Sequence, residues 1–219
     1  SESALQPKSF DPRRTNAEGI DLIRAEVLVC HIAAVKLIPR LGQELAHVND
    51  HAELLDSILS QRSLTAVFQP IIEFAGGRVF GYEGLIRGPA DTPLHLPTHL
   101  FKTAEALGRL AELEQMCRHV VLESFVAQQL PGRLFLTISP ECLLLRDFRD
   151  GETLRLIRRL DLNPSRVIIE LTENKPIYDY NLLREAARHY RGMGFEIAID
   201  DLGEGFSSLR LWSELRPEF

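Results

Sequence analysis

The chain has 219 residues, 45% of them hydrophobic, with 31 acidic against 25 basic side chains. That length supports one sizeable core and a domain count between one and two. A net charge of −6 without a long basic run argues against duplex DNA or an anionic membrane surface as the main partner. Residues 1–16 are polar, with Pro7 and Pro12, and read as a flexible arm. Residues 17–38 carry Ile20, Ile23, Val27, Ile32 and Val35 at near-helical spacing, and Pro39 ends or kinks that run. A second helical run covers 42–60. Within it Asp50 and Glu53 form a capping-box pattern, so a new helix starts there. The division expected is an arm at 1–16, a helical segment or linker at 17–48, and the main domain at 49–219.

Residues 65–72 are strand-like, Gly76-Gly77 marks a turn, and 78–86 make a second strand, so the pair suits a hairpin. After the Pro-containing loop 89–97, residues 98–129 are helical with a break near Gly108. Strand and helix then alternate: strand 134–139, helix 153–160, strand 166–171, helix 180–191, strand 195–200, short helix 207–215. Alternation with apolar strands indicates a parallel sheet in an α/β domain. An open doubly wound sheet and a β/α barrel both fit the pattern.

Cys30, Cys117 and Cys142 are far apart and form no CxxC pair, which reads as buried free thiols in a reducing compartment. The apolar stretch 20–38 carries Asp21, Arg24, Glu26 and Lys36, so no membrane span is expected there. It also lacks the basic lead and cleavage site of a signal peptide. His95 and His99 have Pro97 between them and make a poor zinc pair. Arg155, Arg158 and Arg159 form a basic helix face whose simplest meaning is solvated surface.

The chemistry lies in the acids. Glu83 comes late in a strand-like run, Glu170 follows Val167-Ile168-Ile169, and Asp200-Asp201 follow Ile197-Ala198-Ile199. Carboxylates abutting buried strands are costly to desolvate unless a metal, donors or water compensate. Adjacent aspartates repel, and a dication relieves that repulsion. Mg²⁺ and Mn²⁺ prefer such oxygens. Acids after several successive strands suit a barrel mouth better than a single switch point. Glu83, Glu170 and Asp200 are therefore expected at one rim.

Four blocks carry a resemblance. They are Gln69-Pro70-Ile71, Gly81-Tyr82-Glu83-Gly84-Leu85-Ile86-Arg87-Gly88-Pro89, Glu170-Leu171-Thr172-Glu173, and Asp200-Asp201-Leu202-Gly203-Glu204-Gly205-Phe206-Ser207-Ser208-Leu209. In that order they resemble the EAL domain, from about His51 to Phe219. The resemblance implies a modified TIM-like β/α barrel, here preceded by N-terminal helices. It also implies hydrolysis of the bacterial second messenger cyclic di-GMP to linear pGpG with Mg²⁺ or Mn²⁺, in the bacterial cytoplasm. Glu83, Glu170 and Asp200 take the places of metal ligands. Asp201 would serve a second metal or the attacking water. Glu173 would hold the loop that begins at Asp201. Arg87 would contact a phosphate, Leu85 the nucleotide, and Gln69 lines the same mouth.

The sequence departs from the family pattern in three places. Gly84 replaces the usual Ala of the name motif, a change expected to be mild. Thr137 stands where the family has a metal-binding Asn. Residues 215–219 look like the approach to a further barrel strand, so the barrel is expected to be incomplete at its C-terminus and the chain to be a piece of a longer protein. Two classes stay open: a phosphodiesterase, weak or inactive in this form, and a degenerate EAL module acting as a cyclic di-GMP receptor or protein scaffold. The N-terminal helices could be a linker from a sensor, a dimerisation element or part of the core. A homodimer and further CBS or GGDEF domains in a longer parent suit the resemblance.

Overall fold

The computed structural model describes residues 50–139, 151–171, 179–200 and 208–219. The chain divides into Ser1–Asp50 and His51–Phe219, and the fold below is that of the second unit. The arm, the segment up to residue 48, Glu173, Asp201 and the loop Gly203-Glu204-Gly205 lie outside the described residues.

Residues 50–61 are helical (α1). Strands β1 (Thr65–Ile72) and β2 (Val79–Arg87) pair antiparallel. The hairpin closes through Glu73 N–H to Arg78 C=O at 2.8 Å and Gly77 N–H to Glu73 C=O at 2.9 Å. Gly77 has φ +62°, a left-handed conformation that glycine adopts without steric cost. Helices α2 (Pro97–Ala106) and α3 (Leu110–Ala127) follow, separated at Gly108 as the sequence indicated. Then come β3 (Arg133–Ile138), α4 (Glu152–Arg159), a 3₁₀ turn (Pro164–Arg166), β4 (Val167–Leu171), α5 (Tyr180–Gly192), β5 (Glu196–Ile199) and α6 (Ser208–Leu215).

The sheet runs β1-β2-β3-β4-β5 in sequence order, and β2 to β5 are parallel. Sequential order has no reversal point, so it excludes the doubly wound alternative and leaves the barrel path. The two faces differ accordingly. Leu134, Leu136, Ile138, Val167, Ile169, Leu171 and Ile197 join the helices in the large core. The opposite face carries the smaller cluster of Phe135, Ile168 and Ala198, with Ile71 and Phe80 packed on it. At the strand starts Arg133 pairs with Glu196 on this inner face. The Arg133 guanidinium lies 5.2 Å from the Phe80 ring and 5.3 Å from that of Phe219.

Residues 218 and 219 run beside β5: Glu218 N–H donates to Ile197 C=O at 2.9 Å, and Ile199 N–H to Phe219 C=O at 3.2 Å. Gly84 is not the simple loss of a methyl group that the sequence suggested. Val121 of α3 fills the space, so that a β-carbon on Gly84 would lie 2.3 Å from its Cγ1.

Candidate functional site

Strand register decides which side chains share the rim. Gln69 sits opposite Glu83 on the β1–β2 pair, and Thr137 sits opposite Glu170 on the β3–β4 pair. Glu170 in turn faces Ala198, two residues before Asp200 on the same face. Asp200 is fixed by its N–H, which donates to Leu171 C=O at 3.0 Å. The parallel ladder between β2 and β3 ends at Glu83 and Phe135, although β2 continues on its β1 side to Arg87. Glu83 therefore sits inside β2, at its last parallel-paired position. Glu170 likewise sits inside β4, and only Asp200 follows its strand. The sequence had put the acids late in their strands, within the runs 78–86, 166–171 and 195–200, and Asp200 falls just past its strand.

Beyond Glu83 the two strands separate, and a cavity of about 710 Å³ opens between them and helices α2 and α3. Glu83, Leu85, Thr137 and Asp200 line it. Glu170 is 8% exposed and accepts a hydrogen bond from Thr137 Oγ1 at 3.3 Å. Four residues singled out in the sequence as metal-binding are thus gathered at one rim. Arg87 and Gln69 lie outside the cavity wall. The Arg87 guanidinium donates to Ile86 C=O at 2.8 Å.

Sequence reasoning missed Glu114 and Cys117 of α3, which also line the cavity. Glu114 is 7% exposed, and among the described residues its Oε2 has no hydrogen-bond partner. A buried carboxylate oxygen in that state is a strong acceptor without a donor. The signal was available in the spacing: Leu110, Glu114, Cys117 and Val121 share one helical stripe, and Glu114 is a charge on an otherwise apolar face. Burial pushes the Cys117 thiol up, and the neighbouring Glu114 carboxylate adds to the shift.

The donor set Glu83, Glu170 and Asp200 is all hard oxygen and suits Mg²⁺ or Mn²⁺, which retain waters in their coordination sphere. Among the described residues no three His, Cys, Asp or Glu form a ready chelating cluster.

A sequentially ordered α/β barrel sheet with an acidic rim defines the class. Within it the chain belongs to the EAL domain family, whose model matches residues 51–219. It is 28% identical over 192 residues to the probable cyclic di-GMP phosphodiesterase PdeB of Escherichia coli (strain K12), across 86% of this chain and 36% of that protein. It is similar to Klebsiella pneumoniae BlrP1, solved as a manganese and cyclic di-GMP complex at pH 9.0. That match has a TM-score of 0.61 and 28% identity over 71% of this chain and 39% of that one. The Xanthomonas citri FimX EAL domain, solved with cyclic di-GMP, matches at TM-score 0.67 over 80% of this chain and 69% of that one. Its identity is 16%, so that likeness concerns the fold alone. The chain spans well under two thirds of PdeB and of BlrP1.

Proposed function

We propose that this EAL domain binds cyclic di-GMP at the acidic rim, as a member of the phosphodiesterase branch, and that the 219-residue chain hydrolyses it weakly or not at all. One observation carries the reading. Glu83, Thr137 and Asp200 line a single cavity, and Glu170 is hydrogen-bonded to Thr137 at its edge. Glu83, Glu170 and Asp200, with Asp201, would hold Mg²⁺ or Mn²⁺. When bound, the ion would polarise the phosphodiester and acidify a water. In the reaction a water oxygen bonds to phosphorus, the P–O3′ bond breaks, and a proton lost by the water is balanced by one taken up at O3′, which opens the ring to pGpG.

The other residues bind and orient. Leu85 offers apolar contact to the nucleotide. Arg87 reaches a phosphate once its guanidinium leaves the Ile86 carbonyl, and Gln69 is positioned by its pairing with Glu83. Glu114 accepts an N–H from the guanine edge, which carries such donors. Glu173 would steady the loop after Asp200. No helix among the described residues is long and apolar enough to cross a membrane.

A second reading, a receptor or protein scaffold without turnover, is favoured by Thr137. A hydroxyl is shorter than the Asn amide that the family pattern has there. The test follows cyclic di-GMP and Mn²⁺ with the full chain, by calorimetry for binding and chromatography for pGpG. Binding with little product is expected. Turnover on the order of 1 s⁻¹ or more would overturn the weak-activity claim. Absence of both binding and product would overturn the cyclic di-GMP reading.

A further inference from the structure

The resemblance places Thr137 among the metal ligands. The geometry points elsewhere. Thr137 and Glu170 are direct register partners on adjacent parallel strands, so their side chains leave the same face side by side. The hydroxyl lies 3.3 Å from Glu170 Oε2, and only the hydroxyl of that pair carries a proton to donate. Glu170 is buried at the rim while Thr137 is exposed on the cavity wall. A carboxylate that is largely removed from water needs donors to remain charged. Threonine is also stiff at χ1, so its Oγ1 stays beside Glu170.

We infer that Thr137 is a positioning residue: its hydroxyl donates to Glu170 and holds that carboxylate in one orientation toward the cavity, and Thr137 does not ligate the ion itself. The inference rests on the proposed metal site. It changes what the Thr-for-Asn departure means. An Asn would contribute a ligand oxygen of its own. Thr137 instead gives that place to water and spends its one proton on orienting Glu170. Partners of this outer kind tune metal affinity by fixing the ligand that touches the ion.

The full chain is titrated with Mn²⁺ by calorimetry as wild type, Thr137→Val and Thr137→Ser. Valine keeps the shape and removes the donor, and serine restores it. The valine variant should bind Mn²⁺ about tenfold more weakly, with serine close to wild type. Water-proton relaxivity per bound Mn²⁺ then separates orientation from ligation. A positioning role leaves the inner-sphere water count unchanged in the valine variant. A direct ligand, once removed, admits a further water and raises the relaxivity. Equal Mn²⁺ affinity in wild type and valine variant, failure of serine to restore it, or a raised relaxivity overturns the inference. A wild type that binds no Mn²⁺ overturns the metal site itself and the inference with it. Urea unfolding without metal confirms that each variant folds, and a loss of Mn²⁺ affinity in a folded valine variant supports the assignment.

Discussion

Gly84 of β2 and Val121 of α3 are packed so closely that a β-carbon on the glycine would lie 2.3 Å from Val121 Cγ1. Leu134 Cδ1 closes the same space at 3.4 Å. Val121 is buried and β-branched, so its methyl groups have little room to turn aside. Restoring the family's alanine should therefore destabilise this chain. Gly84→Ala is expected to cost about 1–3 kcal/mol as overpacking. In urea unfolding its midpoint should fall at unchanged slope. Combining it with Val121→Ala should recover part of the loss, because the colliding methyl is gone. A Gly84→Ala protein as stable as wild type would show that α3 shifts without cost.

That contact also shows where the sequence stopped being legible. The order of elements was readable because buried runs such as Val167-Ile168-Ile169 and Ile197-Ala198-Ile199 alternate with amphipathic helices, and boundaries such as Gly76-Gly77 and Gly108 are chemical breaks. The shared rim of Glu83, Glu170 and Asp200 was readable because acids abutting apolar strands are costly without a purpose. What the chain alone could not show is where each ladder ends. Glu83 was read as late in the run 78–86, but that β3 leaves β2 at Glu83 while β1 stays paired to Arg87 shows only in the ladder. The cavity follows from that separation and depends on long-range register. The Val121 contact likewise depends on which helix closes over which strand.

Glu114 lines the cavity and carries a buried oxygen with no hydrogen-bond partner among the described residues, so replacing its carboxylate should matter to whatever binds there. Glu114→Gln keeps the size and weakens the acceptor. Cyclic di-GMP affinity should fall about tenfold, the scale of one lost hydrogen bond to a charged group. Calorimetry on the folded variant is the measurement. Unchanged affinity would remove Glu114 from the ligand site.

Cys117 should be chemically silent while the protein is folded. Burial and the Glu114 carboxylate hold its thiol protonated well above neutral pH, and the thiolate is the reactive form. Peptide mapping after maleimide treatment at pH 8 should find Cys117 unlabelled in native protein and labelled in urea. Rapid native labelling would mean that the cavity opens readily to solvent.

Arg87 should act on ligand and not on the fold. Its guanidinium is engaged only with the neighbouring Ile86 carbonyl among the described contacts, a bond that water can replace. A planar fork suits phosphate oxygens. Arg87→Ala should weaken cyclic di-GMP binding by about tenfold or more, since charge-assisted bonds exceed neutral ones. Its urea midpoint should stay near wild type. Unaltered binding would place the phosphate elsewhere.

Arg191 and Glu218 form a latch at the open side of β5, and the latch should be sensitive to acid. Arg191 Nε meets Glu218 Oε1 at 2.9 Å and its Nη2 meets Oε2 at 3.1 Å. The same Nη2 donates to the carbonyls of Leu215 at 3.1 Å and Arg216 at 2.9 Å. Glu218 Oε2 also accepts the Ile197 N–H at 2.8 Å. One guanidinium and one carboxylate thus tie the end of α6 to β5 and seat the Phe219 ring 5.3 Å from Phe80 and 5.9 Å from Phe135. Partial burial pushes the Glu218 carboxyl up, but the hydrogen bonds from Arg191 and Ile197 outweigh it, and the net shift is downward. A carboxyl whose folded value is depressed adds stability above its unfolded value, near pH 4.3, and loses it as pH falls through the folded value. Because the pair is partly exposed and screened, its worth at pH 7 is about 1 kcal/mol or less. Glu218→Gln should therefore lower the urea midpoint at pH 7, by progressively less on acidification, with the two curves converging once the carboxyl is protonated in the folded protein as well. A deficit that does not shrink on acidification would assign the effect to lost packing and not to the charge of the latch.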